Sequence, residues 1–143
     1  MTTSQSFDLE RFVTAQAAVF PAVLAELKSG RKRTHWMWFV FPQIAGLGQS
    51  PISRRYAISS LDEAKAYLAH PVLGPRLIEC ARILTGLETR SAEEVFGGID
   101  AMKLRSSMTL FARADPSEAM FSQVLDAYFA GEPDEATERL LRG

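Results

Sequence analysis

Apolar residues recur along this chain three and four positions apart, the spacing of a helix face, and nowhere settle into the two-residue alternation of a half-buried strand. From Asp8 onward Leu9, Phe12, Val13 and Gln16 form one stripe, which Phe20-Pro21 interrupts. Pro21 suits the first turn of a second helix, with Val23, Leu24 and Leu27 inward and Gly30 as its stop. Beyond residue 60 the punctuation sharpens. Ser60 with Glu63 has the capping-box spacing, and Leu61, Ala64 and Leu68 make a stripe that ends at His70-Pro71, where His70 reads as a cap. Leu73, Leu77, Cys80, Ala81 and Leu84 continue as a longer helix to about Leu87. Ser91 with Glu94 boxes a short helix closed by Gly97-Gly98, and Asp100 is placed to cap the next, whose buried face is Ala101, Leu104, Met108 and Phe111. Asp115-Pro116 and Glu118 open another over Phe121, Val124, Leu125 and Tyr128, stopping at Gly131, and Asp134 starts a last short helix ending in Leu140 and Leu141. The expected fold is all-α: a compact, irregular multi-helix bundle of about seven helices, in a single domain over 1–143.

One stretch does not yield to this reading. Arg31 to Tyr56, RKRTHWMWFVFPQIAGLGQSPISRRY, holds WMWFVF, a run too short and too uniformly apolar to be typed as helix or strand by period. In a helix Trp36 and Trp38 point about 200° apart, and in a strand they share a face. Large aromatics are the usual filling of a small core, so one of the two is expected inside. Pro42, Gly46, Gly48 and Pro51 then force about ten residues of irregular backbone.

Charge changes the picture here. The 143-residue chain has a net charge of −1, with 47% hydrophobic and 23% charged residues, a globular composition large enough for a core without metal or disulfide staples. Residues 1–60 nevertheless carry seven Lys/Arg against three Asp/Glu, and no carboxylate stands between Glu26 and Asp62. Within that window lie Lys28, Arg31, Lys32, Arg33, Arg54 and Arg55. The near-neutral total argues against a general nucleic-acid coat and leaves room for a small anionic ligand. The single cysteine, Cys80, forms no internal disulfide and lies on an apolar stripe, which points to a reducing compartment; a cytoplasmic protein, monomeric or weakly dimeric, is expected. The N-terminus MTTSQSFDLE has neither a basic n-region nor an apolar h-region, and no apolar run is long enough for a membrane span.

The candidate chemistry follows from what surrounds the tryptophans. His35 precedes them, Gln43 follows with a double-ended amide, and the turn Gly46-Leu47-Gly48-Gln49-Ser50 gives way to Arg54, Arg55 and Tyr56. Aromatic plane, amide, exposed backbone N–H groups and guanidinium are the groups that stack a base, read its edge and hold a phosphate. GLGQS lacks the spacing of a Walker loop and of a dinucleotide-binding turn, so by itself it signals only a turn. A second patch, DAMKLRSSMTLF, places Asp100, Lys103 and Ser106 or Ser107 on a polar row that is able to complete the same site. Two histidines and one cysteine, far apart, make no zinc set, so no metal is expected, and a cofactor is not indicated.

The blocks THWMWFVFPQIAGLGQS, YAI, HPVLGPRL, DAMKLRSSMTLF and GEPDEAT resemble the bacterial family catalogued as domain of unknown function 1810, over nearly the whole chain. The resemblance implies a small all-α domain and no established activity. Its motif residues fall on His35, Trp36, Trp38, Pro42, Gln43, Gly46, Gly48, Ser50, Tyr56, Asp100, Lys103, Ser106 and Ser107, and it departs at Glu138, where an apolar residue is expected after Thr137. A calpastatin-like label sometimes given to that family has no support at residue level, since such inhibitors are disordered and this composition is compact. A fainter similarity, in a Met-Lys helix followed by a leucine-rich terminal helix, is to all-α hydrolases of ADP-ribose derivatives. The functional expectation is a binding domain for a small phosphorylated or nucleotide-like anion. Its rivals are a structural or protein-docking domain, and a hydrolase of the ADP-ribose type.

Overall fold

A computed structural model describes residues 7–88 and 91–142. The expectation of a leader-free N-terminus rests partly on residues 1–6, which lie outside the described residues. The helices are α1 (Glu10–Ala17), α2 (Phe20–Ser29), α3 (Met37–Val40), α4 (Pro51–Arg55), α5 (Leu61–Ala69), α6 (Leu73–Thr85), α7 (Ala92–Phe96), α8 (Gly98–Ala114), α9 (Ala119–Phe129) and α10 (Glu135–Arg142). Seven of these run to eight residues or more, as the apolar stripes require, and α3, α4 and α7 are single turns that the stripes hardly register.

α8 lies at the centre, packed against α5, α7, α9 and α10, while α6 packs on α2, α5 and α9. From Ser106 to Phe111 every residue of α8 is buried, the mark of an element covered on all sides. Aromatic rings run through the core in sequence from Phe121 to Phe111 (5.9 Å between centroids), Tyr67 (5.2 Å), Phe12 (5.1 Å), Tyr56 (5.9 Å) and Phe39 (5.3 Å). Such contacts add about 0.5–1.5 kcal/mol each beyond the area they bury. Close backbone approach matters at Gly74, where α6 begins: a Cβ there would stand 2.1 Å from the Leu68 carbonyl oxygen.

Several caps differ in detail from the sequence pattern. Ser91 and Glu94 form the full box, but at Ser60 the hydroxyl accepts the Glu63 amide (3.1 Å) while the Glu63 carboxylate turns to the Ser59 amide (2.7 Å) and to Arg11 (3.1 Å). Buried Glu63 thereby ties α1 to α5, which a local box would not do. His70 caps as expected, its Nδ1 accepting the amides of Val72 and Leu73. Asp100 does not cap α8: the helix starts earlier, at Gly98, and leaves Asp100 within its first turn, free to face lysines. Glu118 caps α9, whereas Asp115 holds the preceding turn through Ser117.

WMWFVF resolves as a one-turn helix, α3, with Trp36 at its N-cap. The two tryptophans accordingly diverge: Trp36 is 1% exposed and Trp38 only half-buried. The irregular chain after Pro42 is held by backbone bonds from Ile58 N–H to Gln43 O and from Ala45 N–H to Ile58 O, both 2.8 Å. This isolated bridge fixes Gln43 beside the N-terminal half of α8.

Candidate functional site

The loop before α3 is built around one carboxylate. Glu26 of α2 accepts from the Arg33 amide (2.8 Å), the Thr34 amide (3.1 Å), the Thr34 hydroxyl (2.7 Å) and the Trp36 indole N–H (2.9 Å). Burial alone would raise its pKa, but these four donors outweigh it and hold the carboxyl down at about 2. A window without carboxylates in sequence is therefore served by one in space. Trp36 is spent in this arrangement, with Phe41 and Phe96 against its ring and Lys32 5.0 Å from its centroid.

Between α3, the Gln43–Ser53 loop and the start of α8 lie two adjoining cavities. The first, about 290 Å³, has apolar walls from Leu47, Ile99, Met102 and Ala136 and a polar edge of Gln43, Lys103, Ser106 and Asp134. The second, about 400 Å³, is formed by Lys32, His35, Met37, Trp38, Phe96 and the residues Gly97 to Asp100. Ile99 belongs to both. Lys103 lies between them, its ammonium 4.8 Å from the centre of the Trp38 ring and 3.7 Å from Asp100. Asp100 also pairs with Lys32 at 2.9 Å. Two ammonium groups thus share the Asp100 carboxylate, while Asp134 stands apart on the edge of the first cavity.

The candidate residues separate accordingly. His35, Trp38 and Asp100 line the second cavity; Gln43, Gly48, Lys103 and Ser106 line the first. Trp38, Gln43, Gly48 and Tyr56 meet again around a smaller hollow beneath, with Ser53. The Gln43 amide makes no side-chain hydrogen bond among the described residues. Gly48 is required by packing, since a Cβ there would come within 2.5 Å of Ser53 Cβ. Ser50 caps α4 through the Ser53 amide. Gly46 has φ +107° beside Leu140, a turn role. Arg54 and Arg55 are exposed on α4 and line none of these cavities; Arg54 reaches Gln49, and Arg55 covers Tyr56. Ser107 is buried, and its hydroxyl has no hydrogen-bond partner among the described residues. Cys80 is buried too, and burial pushes its thiol up to about 12, which makes it a poor nucleophile.

The comparison with known proteins is decisive at the level of family. The model described as "Protein of unknown function (DUF1810)" matches residues 6–141. The chain belongs to this family. Among solved structures, the crystal structure of the conserved hypothetical protein Rv1873 from Mycobacterium tuberculosis is 55% identical with a TM-score of 0.94, covering 96% of this chain and 98% of that one. No curated protein matches the chain.

In this DUF1810 chain the sequence pattern missed several wall residues. Ile99 and Met102, 74% and 71% exposed, fall off the Ala101/Leu104/Met108 stripe; apolar residues on a polar face were the available signal. Asp134 reads in sequence only as a helix start, yet its carboxylate holds Thr137, which lies 2.7 Å from Ser106. Glu138, odd as the polar residue after Thr137, pairs with Arg113, whose hydrogen bonds hold its carboxyl below the usual range and dock α10 on α8. Among the described residues no group of His, Cys, Asp and Glu is placed to hold a metal ion, and no helix is long and apolar enough to cross a membrane.

Proposed function

We propose that the seam between α3 and α8 binds a small anion carrying an unsaturated ring, a nucleotide or a similar phosphorylated molecule. The observation that carries this reading is Lys103, an ammonium held against the half-exposed Trp38 ring at the junction of an apolar cavity and a polar one. Cavities of this size suit a ligand of that class. In the first, the ring enters between Leu47, Ile99 and Met102, with the uncommitted Gln43 amide at its edge. The anionic group then faces Lys32 and His35 across Gly97 and Gly98, where a Cβ would meet nothing within 4 Å. Lys32 and Lys103 share the single carboxylate of Asp100, so each keeps N–H donors for the anionic group.

A docking surface for another protein is the second reading, favoured by the exposure of Ile99 and Met102. A thermal-shift screen of purine and pyrimidine nucleotides, sugar phosphates and inorganic phosphate separates the two. Ligand binding predicts a rise in melting temperature with nucleotides that Lys103→Ala abolishes while the ligand-free melting temperature changes little. No rise with any of them counts against ligand binding.

A further inference from the structure

The first cavity contains a hydrogen-bond chain whose direction is fixed. The carboxylate of Asp134 accepts from the Thr137 amide (2.9 Å) and from the Thr137 hydroxyl (2.6 Å), while the Asp134 amide donates to Thr109 Oγ1 (2.8 Å). An ionised carboxylate only accepts, so the single hydroxyl proton of Thr137 is committed to Asp134. Ser106 Oγ lies 2.7 Å from Thr137 Oγ1. With the threonine proton spent, Ser106 has to be the donor in that contact. Its own proton points away from the cavity and its remaining lone pair is all it offers a ligand.

One turn earlier on the same helix face stands Lys103, which offers protons and no acceptor. We infer that this wall of α8 reads a ligand edge in which a ring N–H lies beside a carbonyl oxygen, the N–H donating to Ser106 and the oxygen accepting from Lys103. That is the lactam edge of guanine, hypoxanthine or uracil. Adenine and cytosine present an acceptor ring nitrogen beside an amino group, which sets lone pair against Ser106 and N–H against the lysine. Apolar walls at Leu47, Ile99 and Met102 suit a flat heterocycle and give a sugar no hydrogen-bond partners. Gln43, able to present either end of its amide, does not discriminate.

The inference rests on the proposed nucleotide site and names its base preference. It is tested by isothermal titration of the wild-type protein with GMP and UMP against AMP and CMP, repeated with Ser106→Ala and Thr137→Val, each variant checked for an intact melting transition. The wild type should favour the lactam bases at least about tenfold, the worth of one well-formed polar contact. Ser106→Ala should lower the ratio to what Lys103 alone contributes. Thr137→Val frees the Ser106 proton to point into the cavity, and should raise AMP and CMP affinity relative to GMP and UMP. Should Thr137→Val not fold, Ser106→Ala alone decides, because toward the ligand the removed hydroxyl offers only an acceptor. Equal binding of all four nucleotides, or a preference unchanged in Ser106→Ala, overturns the inference while leaving the site; binding of none overturns both.

Discussion

Replacing the two tryptophans by alanine should give very different results, because their positions two apart on a one-turn helix send them to opposite environments. Trp36→Ala empties a site 1% exposed, between Phe41 and Phe96, and removes the only indole donor to Glu26. Emptying a buried aromatic site costs about 3–5 kcal/mol. At roughly 3 °C per kcal/mol for a domain of this size, the melting temperature should drop by about 10–15 °C. Trp38 is already partly in solvent, its ring touched by the Lys103 ammonium, and Trp38→Ala should cost about 1–2 kcal/mol, or roughly 3–6 °C. Differential scanning calorimetry on the three proteins measures this directly, with urea unfolding to confirm the order. Trp36→Phe dissects the first effect: it keeps most of the ring volume but leaves Glu26 one donor short, a loss of about 1.5–3 kcal/mol for a hydrogen bond to a charged group. Equal losses at Trp36 and Trp38, or the larger loss at Trp38, would refute the assignment of core to one and site wall to the other.

Two further outcomes follow from the same contacts. Because the Glu26 carboxyl is held at about 2 against an ordinary 4.5, its stabilising effect is whole above pH 4.5 and is lost as pH falls toward 2; Glu26→Gln should flatten that part of the melting-temperature profile. Gly74→Ala should cost at least about 2 kcal/mol in urea unfolding, because the clash is with the backbone oxygen of Leu68 and no side chain can swing aside.

How much of this was legible in the sequence differs between elements. The long helices were, because one face of each is buried and the stripe of α8 or α6 repeats over three turns or more. α3, α4 and α7 were not typed by period, since one turn gives too few residues, although Ser91 with Glu94 announced α7 by its cap. The site was half legible. Trp38, Gln43 and Lys103 stood out by residue type, but nothing local says that Asp100 serves two lysines or that Glu26 reaches across to Trp36. The carboxylate-free window misled for that reason: the carboxylate that pairs with Lys32, Asp100, arrives from α8, remote in sequence. Arg54 and Arg55 made the stretch look more basic than its cavities are, because α4 turns Ser53 toward them and leaves both arginines exposed. Asp134 and Thr137 required the docking of α10 on α8, a tertiary fact with no trace in spacing.

Entry of a nucleotide beside Trp38 can be followed through that ring's own fluorescence. Trp36→Phe leaves that indole as the sole tryptophan, and titration of the variant with GMP, followed by tryptophan emission, reads the cleft alone. A saturable change in emission, lost when Lys103→Ala is added, is the predicted result; emission that stays flat to millimolar GMP, from a variant that still melts cooperatively, would contradict it.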